Sequence, residues 1–133
     1  MARSKTRKIN ERFYDAYQDF DYVLCEYLGV KEDGVQVYRN RMKEAVLEAR
    51  EAIPEWDSIN LRLEAIRNRY QVLKQGTEHF DDFQGKDEDV VWMQVFCERL
   101  DAQADPLAKY AKMDFKYKRR NRGFWQKVVD MFR

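Results

Sequence analysis

Residues 9–28 read INERFYDAYQDFDYVLCEYL, and the placing of their apolar side chains decides the fold class. Ile9, Phe13, Ala16, Tyr17, Phe20, Val23, Leu24, Tyr27 and Leu28 recur at steps of three and four. That is the period of an amphipathic helix, not of a strand. The spacing predicts a helix from about Lys5 to Leu28, with Gly29 as its C-terminal stop.

The same period continues after the loop GVKEDG. Val35, Tyr38, Met42, Ala45, Val46, Ala49 and Ile53 place a second helix over about Val35 to Ile53, and Pro54 breaks it. Asp57 or Ser58 is the expected cap of a third helix that runs to about Gln75 and stops at Gly76. TEHFDDFQGKDED, residues 77–89, is the longest irregular piece, with Phe80 and Phe83 able to dock on a bundle. A fourth helix covers about Glu88 to Ala104. Asp105-Pro106 then reads as an N-cap followed by Pro at the first helical position of a helix reaching about Arg119. The last ten residues, after RRNRG, form a short amphipathic helix.

No strand alternation interrupts this series, and five Gly and two Pro are too few for a turn-rich fold. The expectation is an all-α fold: an antiparallel bundle of four to five helices plus a short C-terminal amphipathic helix. A chain of 133 residues is one domain with room for its own core. Its parts are a basic N-terminal tail (1–8), the bundle (9–120) and the amphipathic C-terminal helix (121–133).

The net charge is only +1, but it is unevenly distributed. Residues 1–8 carry +4 and residues 109–133 carry +7, whereas residues 9–108 hold 12 Lys/Arg against 22 Asp/Glu, a net −10. Basic ends on an acidic body either touch phosphate, acidic lipid or an acidic partner, or lie on the body itself. Cys25 and Cys97 fall in helical apolar patterns, so free buried thiols are expected rather than a disulfide framework. MARSKTRK has no apolar signal core, and no apolar run approaches a membrane span. A cytoplasmic location follows as the expectation.

The third helix carries two apolar faces. Ile59, Leu63, Ile66, Tyr70 and Leu73 make the core stripe. Leu61, Ala65 and Val72 cluster nearly opposite, with Asn68 among them. A surface helix normally buries one stripe. The second therefore predicts another layer, either a helix of the same chain or a second subunit.

Chemistry-bearing motifs are scarce. One His and two distant Cys offer no zinc spacing, and the acidic stretch lacks the alternation of a calcium loop, so no metal or cofactor is expected. His79 has no serine or cysteine motif near it. The C-terminal KYKRRNRGFWQKVVDMFR is more informative. Lys116, Lys118, Arg119, Arg120 and Arg122 are candidate phosphate contacts. Phe124, Trp125, Val128 and Phe132 present an apolar face. Such a segment suits a partner groove, an anionic membrane, a nucleic acid or its own bundle.

Ile66-Arg67-Asn68 on a long helix resembles the start of the signature of the HEPN superfamily, in which Arg-Asn is followed after three residues by His. The stretch WMQVFCERLDAQADPLAKY (92–110) also looks like a recurring segment of small bacterial proteins, so the resemblance covers about residues 10–110. It implies a small helical bundle that dimerises and, in many members, cleaves RNA in a cleft shared by two subunits. Here the histidine position is Val72, which neither accepts nor donates a proton. Arg67 is then carried over as a phosphate or structural contact, and Asn68 as a cleft-facing polar residue.

The expectation is a non-enzymatic binding module, a degenerate HEPN-like bundle that contacts a protein or RNA/DNA partner in a mobile-element or host-defence setting. It forms a homodimer through Leu61, Ala65 and Val72 around Asn68. Two alternatives stand beside it. One is a HEPN-type RNase or RNA-binding toxin-like protein using Arg67. The other is a peripheral membrane or partner-docking protein using the C-terminal helix.

Overall fold

The computed structural model describes residues 5–45, 47–81 and 86–113. The fold is all-α, and no strand occurs among the described residues. Helix α1 spans Lys5–Leu28, α2 Gly34–Glu44, α3 Leu47–Ala52, α4 Trp56–Gln75, α5 Asp87–Asp101 and α6 Pro106–Lys112. A 3-10 turn, Thr77–Asp81, links α4 towards α5.

Helix α1 has the predicted bounds, and its stop is chemical. Gly29 takes φ 70, a left-handed conformation natural to glycine. The amide of Val30 donates to the Cys25 carbonyl (2.9 Å) and that of Gly29 to the Glu26 carbonyl (3.3 Å). Together these close a Schellman cap.

The chain then turns α2 against α1 at very close range. A Cβ on Gly34 would lie 2.7 Å from the backbone oxygen of Asp21 and the backbone nitrogen of Cys25. The approach lets the Asp21 carboxylate accept from the Val35 amide at 2.9 Å, so α1 supplies the cap that Asp33 does not. Asp33 itself is left-handed, with φ 58.

Two expectations are corrected. The second helix is not continuous to Ile53: α2 ends at Glu44, Ala45 is extended, and Leu47–Ala52 forms the separate α3. Ala49 and Ile53 still reach the core. Nor do Asp57 or Ser58 cap the third helix, here α4. The cap position falls two to three residues earlier, at Glu55, and the helix starts at Trp56, whose ring is buried against Tyr110 at 5.8 Å. Asp57 sits in the first turn, favourable to the helix dipole, and Ser58 Oγ donates to the Glu55 carbonyl. The stretch expected to be irregular is also partly ordered, as the 3-10 turn and the first residues of α5. Phe80 packs on the core as foreseen; Phe83 lies outside the described residues.

The core is aromatic. Phe20 meets Phe96 edge-on at 5.8 Å, and Tyr38 meets the same ring at 5.6 Å. Helices α1 and α5 lie side by side in the same direction: Arg12 pairs with Asp87 near their starts, and Phe20 meets Phe96 midway. Helix α4 runs opposite to α5, with Glu55 beside Arg99 and Arg69 beside Asp89. At the end of the bundle Asp105 caps α6, accepting from the Ala108 amide, with Pro106 following as predicted, but the helix closes at Lys112, where Met113 is extended, rather than reaching about Arg119.

Candidate interaction surface

Helix α4 carries the sequence candidates that fall among the described residues, and each of its faces now has an address. Ile59, Leu63, Ile66 and Leu73 are buried in the core. Tyr70 is half-buried, stacked between Tyr17 (4.1 Å) and Tyr14 (4.9 Å) of α1. Burial pushes the Tyr17 phenol well above its ordinary pKa, so it is a neutral hydrogen-bonding group.

The edge facing α2 is ionic. Arg39, almost buried, donates to Asn60 Oδ1 (3.0 Å) and to Glu64 (2.8 Å). Arg67 pairs with Asp33 at 3.2 Å. Its guanidinium is thus turned towards the start of α2 and occupied by a carboxylate on a partly exposed surface. Beside this pair, Asp21, Glu32 and Asp33 face Tyr17 and Tyr70 across a groove of about 330 Å³. Gln18, Gln71 and Lys74 complete its lining, so three carboxylates stand against one lysine beside an aromatic wall, which disfavours phosphate.

The edge facing α5 is a clamp. Asp89, 1% exposed, accepts from Arg69 and pairs with Arg62 at 2.8 Å. The Arg62 guanidinium also lies over the Trp92 ring, 5.6 Å from its centroid. Its Nε is buried without a hydrogen-bond partner. A nearly inaccessible carboxylate held by two arginines avoids the cost of an unpaired buried charge.

The remaining face points away from the core. Leu61 is 66% exposed, Asn68 is exposed, and Ala65 and Val72 are half-buried. No helix among the described residues covers it. The second apolar face is therefore present, and the covering helix offered as one explanation is not found there. Arg67 and Asn68, adjacent in sequence, diverge: one enters an ion pair towards α2, the other faces outward.

The other sequence candidates, Lys116, Lys118, Arg119, Arg120, Arg122, Phe124, Trp125, Val128 and Phe132, lie outside the described residues. Of the 1–8 segment, Lys5, Arg7 and Lys8 belong to the start of α1. Cys25 is buried and Cys97 half-buried, both as free thiols. Among the described residues no cluster of three potential metal ligands occurs, and no helix is long and apolar enough to cross a membrane.

The sequence did not single out the bundle's buried polar centre. Tyr27 donates to Asp105 Oδ1 (3.0 Å), Tyr38 donates to Oδ2, and the Tyr38 hydroxyl accepts from the Leu107 amide (3.1 Å). Asp105 is fully buried, and burial raises its carboxyl above the usual range despite the two tyrosine hydrogen bonds that oppose the shift. Its role in the cap was legible; that two tyrosines converge on it from 67 and 78 residues away was not.

A model of a protein family matches residues 11–128, nearly the whole chain. The chain belongs to DUF6548, a family of unknown function. The DUF6548 match begins inside α1 and continues through Val128, so it takes in both the described bundle and most of the basic C-terminal segment. No curated protein and no solved structure matches the chain.

Proposed function

We propose that this DUF6548 protein is a non-enzymatic helical interaction module that pairs with a second copy of itself through the outer face of α4. The observation that carries the reading is the outward seam Leu61, Ala65, Asn68, Val72, spaced four, three, four, with Leu61 and Asn68 exposed and Ala65 and Val72 half-buried. That is the spacing of a two-stranded helical contact, with one polar seam residue to fix register. Its flanks are closed by ion pairs of the body, Glu64 with Arg39 along one edge and Arg62 and Arg69 with Asp89 along the other, which leaves the seam as the outward surface of α4.

The same surface supports a protein partner over a nucleic acid. Arg39, Arg62, Arg67, Arg69 and Arg99 are each held by a carboxylate of the body. Residues 9–108 carry a net −10, which repels phosphate. Nucleic-acid binding would rest on the basic ends of the chain, residues 1–8 and the cluster Lys116 to Arg122, rather than on α4.

A degenerate HEPN-like ancestry in a cytoplasmic, mobile-element or host-defence setting fits this proposal. It joins Arg67-Asn68 and dimer formation with the loss of an imidazole at Val72. The RNase alternative needs Arg67 to leave Asp33 and act on phosphate.

Light scattering tests the module. The wild type is expected at twice 16.2 kDa and Val72→Asp at the monomer mass. A monomeric wild type at tens of micromolar rejects the pairing. A gel shift at low salt tests the nucleic-acid branch, and RNA left intact by pure protein removes the RNase branch.

A further inference from the structure

The groove between α1, α4 and the turn that enters α2 has acceptors that the bundle leaves unused. It encloses about 330 Å³, the small end of the range of small-molecule sites. Tyr17 and Tyr70 form one wall, with Asp21, Glu32 and Asp33 beside them. The two rings stack at 4.1 Å, and Tyr14 stacks on Tyr70 at 4.9 Å. Tyr70 therefore has no free ring face for a cation, and what the pair brings to the groove is its hydroxyls.

Tyr17 is the informative residue. It is 3% exposed, yet no described residue forms a hydrogen bond with its hydroxyl. Burial holds the phenol neutral, and the charges of Asp21 and Asp33 add to that effect while Arg67 opposes it, which puts the hydroxyl among the groove's charged groups. A buried phenol without a partner forfeits the hydrogen bonds it had in water, and this one opens on the groove.

The carboxylates also have acceptor capacity to spare. Asp21 Oδ1 takes the Val35 amide at 2.9 Å, and Asp33 holds Arg67 at 3.2 Å. Glu32 is exposed, with no partner among the described residues. Against these three carboxylates stand two cations, Arg67 and Lys74, so one negative charge is unbalanced. The acceptors do not converge on a point: among the described residues no three potential metal ligands could hold one ion. Acceptors spread around a cavity suit a flat cation whose donors fan outward. A guanidinium has five N–H donors in one plane, whereas an ammonium is a compact point charge. Arg67 on Asp33 already shows that pairing at the groove's edge.

We infer that the α1–α4 groove binds a guanidinium group, with Asp21 and Glu32 taking its charge and the Tyr17 hydroxyl accepting one of its N–H bonds. The chemistry is shared by a free alkylguanidine and by the arginine side chain of a partner. The site has no residue in common with the seam Leu61, Ala65, Asn68, Val72, so it stands apart from self-pairing through α4.

The test is a titration of the full-length protein with n-propylguanidinium, read from the NMR side-chain amide signals of Gln18 and Gln71, which line the groove. Saturable shifts of both are expected below about 10 mM. The neutral isostere n-propylurea should leave them in place, and n-butylammonium should bind about fivefold more weakly. Tyr17→Phe keeps the ring and should weaken binding about tenfold. Glu32→Lys alters an exposed side chain outside the core and should abolish binding; it decides the matter if Tyr17→Phe does not fold. N-acetylarginine methylamide separates the sources. Tighter binding than n-propylguanidinium assigns the site to a partner's arginine, and equal or weaker binding assigns it to a free alkylguanidine. No saturable shift with either guanidinium overturns the inference. So does undiminished binding to Glu32→Lys, or equal binding of n-propylurea or n-butylammonium.

Discussion

Asp105 shows how one residue joins distant parts of the chain. It caps α6 and accepts hydrogen bonds from Tyr27 and Tyr38, so its loss leaves two phenols and an amide unsatisfied in the interior. Asp105→Ala is expected to destabilise by about 3 kcal/mol, read from urea unfolding midpoints. The burial that raises its carboxyl sets a sign as well. The native state holds this proton to higher pH than the unfolded chain does. This contribution to stability is therefore greatest below the ordinary aspartate range and falls as pH rises through the elevated pKa. Glu55 behaves oppositely. Burial pushes it up, but hydrogen bonds from Lys109 and Arg99 outweigh that and hold it below the usual glutamate value. Its contribution is present above that value and lost on acidification. Glu55→Gln should therefore flatten the acid limb of a stability–pH profile, and Asp105→Asn the decline above it. Arg67, in the sequence a candidate contact for phosphate, is tied to Asp33 on a partly exposed surface. Arg67→Ala is expected to cost less than about 1 kcal/mol.

At the scale of elements, the sequence predicted helices well where a stop is written in chemistry. Helix α1 ends at Gly29 because the left-handed cap needs that residue, and α6 starts at Pro106 because Asp105 precedes it. It predicted poorly where packing alone ends a helix. Met42, Ala45, Ala49 and Ile53 keep an unbroken helical period with no Gly or Pro between them, so the break after Glu44 left no local signal. The start of α4 was displaced for a similar reason. Asp57 and Ser58 are better caps than Glu55, but burial of Trp56 against Tyr110 draws the first turn back. The seating of α2 on α1 was also invisible, since it depends on a backbone approach at Gly34. Gly34→Ala is expected to destabilise by about 1–3 kcal/mol, because backbone rather than a flexible side chain must move. Thermal unfolding would show it, and an unchanged midpoint would mean that α2 sits farther from α1.

Across the whole molecule, the sequence made the all-α class and the acidic body plain, and it marked both apolar faces of α4. It could not show which carboxylate each arginine meets. Those pairings decide how the candidate site is read: Arg67 to Asp33, Arg62 and Arg69 to Asp89, and Arg39 to Glu64. They occupy the arginines of α4 and leave Leu61, Ala65, Asn68 and Val72 as its outward surface. We propose that a module built this way acts by contact, with its own copy as its first partner. The solution mass of the full-length protein, measured by sedimentation equilibrium alongside Val72→Asp, tests that claim most directly. The account predicts twice 16.2 kDa for the wild type and a folded monomer for the variant. A wild type that stays monomeric, or a variant that still dimerises, contradicts it.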